Sequence, residues 1–359
     1  MPCLKKREQY TRLRYTQIFL KKCCGIFMAR RFLPIIRTMN ITTVSTGTKK
    51  AIAGAAVWLL LITTLHLYGN YPSDGDRLKI GFLPITCHLL LPVAMARVPD
   101  MKIEALKFSS WPDMIEALKG GDLDGAFILA PIAMAMAGQG VPLKIVLLGH
   151  RDGTGLVVKN DGEIRDAGEL AGKTVAIPIR YSDQNIALLR LLDQAHVDIK
   201  SVNIIEMPPP DMPSALASGA IEAYIVGEPY AAWSEINGSG KVLYQMKDFW
   251  PGFISSVLVM RNDVMCEKRK EAVKFIRSVY RQGTWVEQHR RDAALICASF
   301  FGLSETLIEY VLEQPADRVS YNRLLPEPEE LDEIGRLMRR YGLADRIPDG
   351  KEITDISWQ

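Results

Sequence analysis

The feature that most constrains this chain is that it repeats itself once. Pro112-Asp113-Met114-Ile115-Glu116-Ala117-Leu118 recurs as Pro210-Asp211-Met212-Pro213-Ser214-Ala215-Leu216, and the match runs on without a gap at an offset of 98 residues. Gly121 meets Gly219, Leu123 meets Ile221 and Asp124 meets Glu222. Ala126-Phe127-Ile128 meets Tyr224-Ile225-Val226, and Ala130-Pro131-Ile132-Ala133 meets Glu228-Pro229-Tyr230-Ala231. Each copy reads as one unit: a Pro-Asp opening caps a short helix, Gly ends it, a buried strand follows, and Pro opens the next helix. A weaker match precedes it, where the strand Lys79–Leu83 runs into Pro84-Ile85 and the strand Thr174–Ile177 into Pro178-Ile179, each before a helix, from about Leu89 and from about Ser182.

Two copies of strand–helix–strand–helix–strand–helix imply parallel-rich sheets. The period is far longer than the 20–50 residues of a solenoid, so it predicts two similar α/β lobes rather than an array. In open α/β sheets a ligand binds beyond the carboxyl ends of the strands. The repeat therefore nominates equivalent loops that would meet across one cleft: Pro84–His88 with Pro178–Ser182, and Ala130-Pro131 with Glu228-Pro229. Gly149–Lys159 reads as a crossing between lobes and Ile254–Met260 as a strand leading back. Helical patterns follow over Lys268–His289, Asp292–Phe300, Ser304–Glu313 and Glu327–Tyr341. These readings divide the chain into a first lobe of 77–155 and 256–345 and a second lobe of 156–255.

Charge separates the N-terminal fifty residues from the rest. They hold twelve Lys/Arg against one acid, Glu8, so the +3 of the whole chain is +11 there and −8 beyond. A mildly acidic body is unsuited to nucleic acid, which needs a concentrated basic surface. Between the halves lies Ala51–Tyr68, without a formal charge, preceded by Lys49 and Lys50. Its length is near the lower limit for a transmembrane helix, and the positive flank places the body outside the cytoplasm. Leu67-Tyr68-Gly69-Asn70 is a poor cleavage site, so an uncleaved signal anchor over 51–70 is expected, behind a basic cytoplasmic tail or a start displaced to Met39. The alternative is a buried core helix.

The chain resembles the periplasmic solute-binding proteins of ABC importers in the nitrate/sulfonate/taurine/bicarbonate group. The stretches that carry the resemblance are Lys79–Pro84 (KIGFLP), Ile115–Phe127 (IEALKGGDLDGAF), Leu170–Pro178 (LAGKTVAIP), Met207–Met212 (MPPPDM) and Gly227–Ala232 (GEPYAA). It covers about Leu78 to Tyr341. The resemblance implies a type II periplasmic-binding fold with two chain crossings, binding without chemistry, and docking of the closed form on an ABC permease with its ATPase. The chain departs from the group in lacking a lipidated cysteine and in carrying Thr86-Cys87-His88 after its first strand.

Several residues stand out at the nominated loops. Glu228 is a ligand or closure contact, or an acid favoured by a helix N-terminus. Arg180, Tyr181, Ser182 and Gln184 follow the second lobe's first strand; Ser182 can cap the next helix and Arg180 can pair an anion. Thr86, Cys87 and His88 occupy the equivalent loop of the first lobe. Ser110 and Trp111 close its second strand, Trp111 as a pocket wall or as core. Ala130 stands opposite Glu228 in the repeat. His150-Arg151-Asp152-Gly153 reads as a turn held by the Asp side chain. There is no CxxC, Gly-x-Gly at 153–155 lacks the third glycine of a dinucleotide loop, and the five histidines show no metal spacing, so no cofactor is expected. The expected activity is capture of a small anionic or zwitterionic solute between closing lobes. The alternatives are an enzyme of pyrimidine or menaquinone biosynthesis on the same fold, or a membrane-tethered sensor.

Overall fold

The computed structural model describes residues 46–69, 77–160 and 162–359. Helix α1 (Thr46–Gly69) belongs to a separate unit from the rest, and within it Val57–Leu61 are each more than half exposed. Among the described residues no helix is long and apolar enough to cross a membrane, so the anchor expected at 51–70 is not supported. Tail residues 1–45, with the displaced start at Met39, and residues 70–76 lie outside the described residues.

Arg77 to Gln359 fall in one compact unit built on two sheets. The first copy of the repeat lays down β1 (Leu78–Phe82), α2 (Leu90–Arg97), β2 (Ile103–Lys107), α3 (Trp111–Gly120), β3 (Gly125–Ile128) and α4 (Ala130–Gly138). The second copy lays down β6 (Thr174–Ile177), α5 (Asp183–Gln194), β7 (Asn203–Glu206), α6 (Met212–Ser218), β8 (Ala223–Gly227) and α7 (Tyr230–Ile236). In both copies the first strand lies between the other two and pairs with each in parallel.

The caps reproduce the repeat. Helices α3 and α6 end at Gly121 (φ 86°) and Gly219 (φ 78°), the two glycines that the 98-residue offset superposes. The left-handed conformation is open to glycine without the Cβ penalty, which is why the same residue closes both helices. Ser110 accepts the Asp113 N–H at the start of α3, whereas α6 is preceded by a single 3₁₀ turn at Pro209–Asp211.

The remaining strands join the lobes. β4 (Leu143–Asp152) stays in the first sheet and β5 (Thr154–Lys159) enters the second, so the chain crosses at Gly153. β9 (Gly240–Gln245) completes the second sheet, and β10 (Ile254–Arg261) returns to lie between β3 and β4 of the first. The first sheet runs β11–β4–β10–β3–β1–β2 and the second β7–β6–β8–β5–β9, where β11 is Val319–Ser320. Thus β10 and β5 hold the same place in the two sheets, antiparallel to β3 and to β8.

Helix α8 (Asn262–Glu267) follows β10 without having been read from sequence, while α9 (Arg269–Gln288), α10 (Arg290–Phe301), α11 (Glu305–Glu313) and α12 (Pro328–Arg340) follow the patterns read there to within a few residues. The segment after 345 also packs against the first sheet. It contains α13 (Gly350–Ile353), a parallel bridge from Thr354 to Ile145, and Trp358, whose indole donates to the Val146 carbonyl at 3.1 Å.

Candidate functional site

The strand-end loops named by the repeat meet where the two sheets face each other. After β1 the chain enters a 3₁₀ turn, Thr86–His88, which is fully buried. Thr86 donates to the Glu228 carbonyl twice, from its N–H at 3.1 Å and from its Oγ1 at 2.9 Å. The Tyr321 hydroxyl donates to the Thr86 carbonyl at 2.9 Å, and the Ser256 hydroxyl donates to that of Cys87 at 3.1 Å. β4 packs so close to this turn that a Cβ built on Gly149 would lie 2.3 Å from the Cys87 oxygen, and only glycine fits there.

From the second sheet, the loop after β6 delivers the start of α5. Ser182 is the N-cap: its Oγ accepts the Asn185 N–H at 3.0 Å and donates to Ile179 O at 2.7 Å. The cap turns Asp183 and Gln184 inward, to 1% and 2% exposure. Both carboxylate oxygens of Asp183 and Oε1 of Gln184 are buried without a hydrogen-bond partner, and so is the Ser255 hydroxyl on β10. Gln184 and Ser255 converge. Gln184 Nε2 lies 3.4 Å from Thr154 Oγ1, and both Nε2 and Ser255 Oγ fall within 4 Å of a Cβ built on Gly227. The charge of Asp183 is felt at the Cys87 thiol, which burial first and that charge second push up to about 12, against the opposing bond from Ser256.

Burial pushes the Asp183 carboxyl well above the usual range; its own backbone N–H works against the shift without completing a hydrogen bond. A buried polar group without a partner costs about 1–3 kcal/mol, more when charged, and native interiors hold few of them. Four such atoms, three at the start of α5 beside the second sheet and one on β10 of the first, leave a chamber with unmet hydrogen-bonding capacity.

Two histidines border it on the first-sheet side. His88 holds Leu83 through Nδ1, at 2.9 Å to the amide and 3.0 Å to the carbonyl, and its ring meets Trp111 edge-on at 5.8 Å. His150 Nε2 lies 3.5 Å from Thr86 Oγ1. Burial drives both imidazoles down to about 3, so both are neutral. His88 Nε2, His150 Nδ1 and Trp111 Nε1 are likewise unpartnered. Nearby, a cleft of about 370 Å³ opens between Leu83–Ile85 and Lys107–Ser109 of the first lobe and Pro209, Pro210 and Tyr230 of the second.

The sequence reading is met unevenly. Thr86, Cys87, His88, Trp111, Ser182, Gln184 and Glu228 come together at the lobe junction, and all are buried. Ala130, also buried, opens α4 and presents no polar group. Ser110 is occupied as a helix cap and by Asp113 at 2.7 Å. Arg180 and Tyr181 do not join the chamber. Both are exposed, and the Arg180 guanidinium donates outward to the Gly342 carbonyl at 3.2 Å. Glu228 is no free ligand contact either: its carboxylate accepts the Ala232 N–H at 2.9 Å and pairs with Arg318 at 2.7 Å. The turn expected at His150–Gly153 is a strand-to-strand crossing, with Asp152 Oδ1 unpartnered and Asp152 and Gly153 at φ 63° and 67°.

Asp183, Ser255 and Arg318 were not legible as site residues. Asp183 reads as the acid usual in a first helical turn, and Ser255 as one of a run of strand residues. Arg318 lies 90 residues from its partner Glu228.

The chain is similar to known proteins over most of its body. It is 24% identical over 321 residues to a putative aliphatic sulfonates-binding protein of Bacillus subtilis, covering 84% of this chain and 94% of that one. It is 32% identical over 184 residues to the taurine-binding periplasmic protein of Escherichia coli, covering 50% of this chain and 55% of that one. Among solved structures, the ligand-binding component of an ABC-type import system from Staphylococcus aureus, with zinc bound, aligns with a TM-score of 0.72 at 28% identity. That alignment covers 79% of this chain and 97% of that one. Residues 72–299, more than half of the sequence, match the family model described as the NMT1-like family, and the chain belongs to that family.

Proposed function

We propose that the chain is the extracytoplasmic solute-binding component of an ABC importer, taking a small anionic or zwitterionic solute between two lobes. The observation that carries this is the chamber of unpartnered buried polar atoms where the lobes meet: Asp183 and Gln184 from α5, Ser255 from β10. Support comes from the family and from relatives whose names describe binding of sulfonates and taurine. The site holds no nucleophile poised for chemistry, since the Cys87 thiol is pushed up to about 12 and the neutral His88 is engaged with Leu83, so binding is the activity it suits. The first lobe is taken as 77–155 with 256–345 and the second as 156–255, and the closed form is the one that would dock on a permease.

A thermal-shift screen of taurine, alkanesulfonates, nitrate and bicarbonate tests the reading, because a ligand that binds only the folded state raises the melting temperature by mass action. A raised midpoint that scales with ligand concentration is expected; a midpoint unmoved by every compound counts against it.

Attachment to the membrane through 51–68 is a further part of the proposal. It rests on the uncharged run behind Lys49 and Lys50 and on the exposed apolar side chains Val57–Leu61 of α1. The full chain should stay in the membrane pellet after carbonate washing, and release into the supernatant would remove the tether.

A further inference from the structure

The unmet atoms of the chamber are unequal in kind. Asp183 Oδ1, Asp183 Oδ2 and Gln184 Oε1 are hydrogen-bond acceptors, and each is buried without a partner. The donating end of the Gln184 amide is engaged at long range, 3.4 Å from Thr154 Oγ1. Among the atoms from α5 and β10 the Ser255 hydroxyl alone can give as well as accept, while on the first-sheet side the unpartnered Trp111 Nε1 is a donor and His88 Nε2 and His150 Nδ1 give or accept according to tautomer. None of the cations nearby is available to Asp183: Arg318 is held between Glu228 and Glu235, at 2.7 and 2.6 Å, and Arg180 faces outward. A simple anion brought into such a place would meet three acceptors and no fixed positive charge. A group rich in N–H would satisfy them all.

We propose that Asp183 is the recognition group of the site, and that the admitted solute presents a protonated amine or another N–H-bearing nitrogen to its carboxylate. This rests on the solute-binding reading and narrows it: between a bare anion and a zwitterion, the chamber selects the zwitterion or another amine-bearing solute. An ammonium donates up to three hydrogen bonds, enough for both oxygens of Asp183 and for Gln184 Oε1. A charge-assisted contact of this sort is among the stronger ones, and it gains from a water-poor setting. The orphaned carboxylate of the ligand-free protein is the complement: it lowers stability until the nitrogen arrives, as expected of a group kept for binding rather than for folding.

The experiment is calorimetric titration of the full-length protein with two matched pairs that differ only in an amino group, taurine against ethanesulfonate and β-alanine against propionate. The amine-bearing member of at least one pair should bind at least tenfold more tightly than its partner. Asp183→Asn should cut that affinity at least tenfold. It should also leave the melting temperature of the ligand-free protein equal or higher, because it removes a buried unpaired carboxyl. Asp183→Ser, smaller and also uncharged, is run beside it so that a packing fault in one variant does not decide the outcome. Equal or tighter binding by ethanesulfonate or propionate overturns the inference and leaves the solute-binding reading in place. So does unchanged affinity in both variants, or a marked drop in the melting temperature of both, which would make Asp183 a structural group. No binding by any of the four at millimolar concentration counts against the solute-binding reading and takes this inference with it.

Discussion

Arg318 and Glu228 form an ion pair of 2.7 Å whose side chains are 2% and 0% exposed, and the same guanidinium reaches Glu235 at 2.6 Å. Arg318 immediately precedes β11 of the first sheet, whereas Glu228 follows β8 of the second and Glu235 lies on α7. The pair is therefore a strut across the lobe junction. Burial acts against the charge on Arg318, but the two glutamates hold it above its ordinary value. Burial pushes Glu228 up, with Arg318 opposing. Both directions fit one cation shared by two acids.

Removing one member of such a cluster leaves buried charge uncompensated, so Arg318→Ala should destabilise the fold by about 3–5 kcal/mol. Arg318→Met combined with Glu228→Leu removes both sealed charges and should be much closer to the wild type. Urea unfolding of the three proteins checks this. Equal losses in the single and double variants would mean that packing, not charge, sets the cost.

Acid should weaken the protein through its two buried histidines. In the unfolded chain their imidazoles protonate near 6.5, whereas in the folded state burial delays protonation to about 3. Between those values the unfolded state binds more protons, so stability rises with pH across the window and is lost as pH falls below 6.5. Each histidine contributes a slope of about 1.4 kcal/mol per pH unit. Unfolding midpoints measured from pH 7 to 4 should show the decline, and His150→Asn should flatten it by about one proton's worth whatever its effect at neutral pH. An unchanged slope would show that His150 is already protonated in the fold.

The paired helix caps make a control of known geometry. Gly121→Ala and Gly219→Ala each force a Cβ into the left-handed region, at φ 86° and 78°, and each should cost about 1–2 kcal/mol. The sites lie in different lobes, so the double variant should lose the sum within about 0.5 kcal/mol. Strong non-additivity in chemical denaturation would mean that the lobes do not act as independent contributors.

Closure is expected to pivot on the two crossings, at Asp152-Gly153 and between β9 and β10. Two short connections can absorb the dihedral change while both sheets stay packed. Small-angle scattering of the full chain, with whichever compound the thermal-shift screen selects, should show a smaller radius of gyration than without it. An identical radius at saturation would indicate a preformed, rigid chamber.

Much of the architecture was legible because a repeat exposes strands and helices twice. The shared Pro-Asp-Met and Gly positions placed α3, β3, α6 and β8, and the strand-end rule led to Thr86–His88 and to the start of α5. Individual side chains were harder. Whether Arg180 or Asp183 faces inward depends on how the Ser182 cap sets the first turn of α5, and a difference of three residues along that turn reverses the charge offered to a ligand. The Glu228–Arg318 strut depends on where a loop before a two-residue strand comes to rest, which no local pattern records. Ser255 lies between Ile254 and Ser256 on β10 and gives no sign of its role until the second sheet is present.

The placement of β10 has a consequence for how the molecule is assembled. Thr154–Gln245 contains every strand of the second sheet, whereas the first sheet has a gap between β3 and β4 that only β10 fills. A chain emerging from its N-terminus therefore finishes its second lobe before its first. The earlier-made strands wait, with two apposed edges unpaired, until the later lobe has been completed and the return strand arrives. Cutting the chain after residue 152 would not release a working half but an unclosed one, and of the two lobes only the second is encoded as an uninterrupted segment.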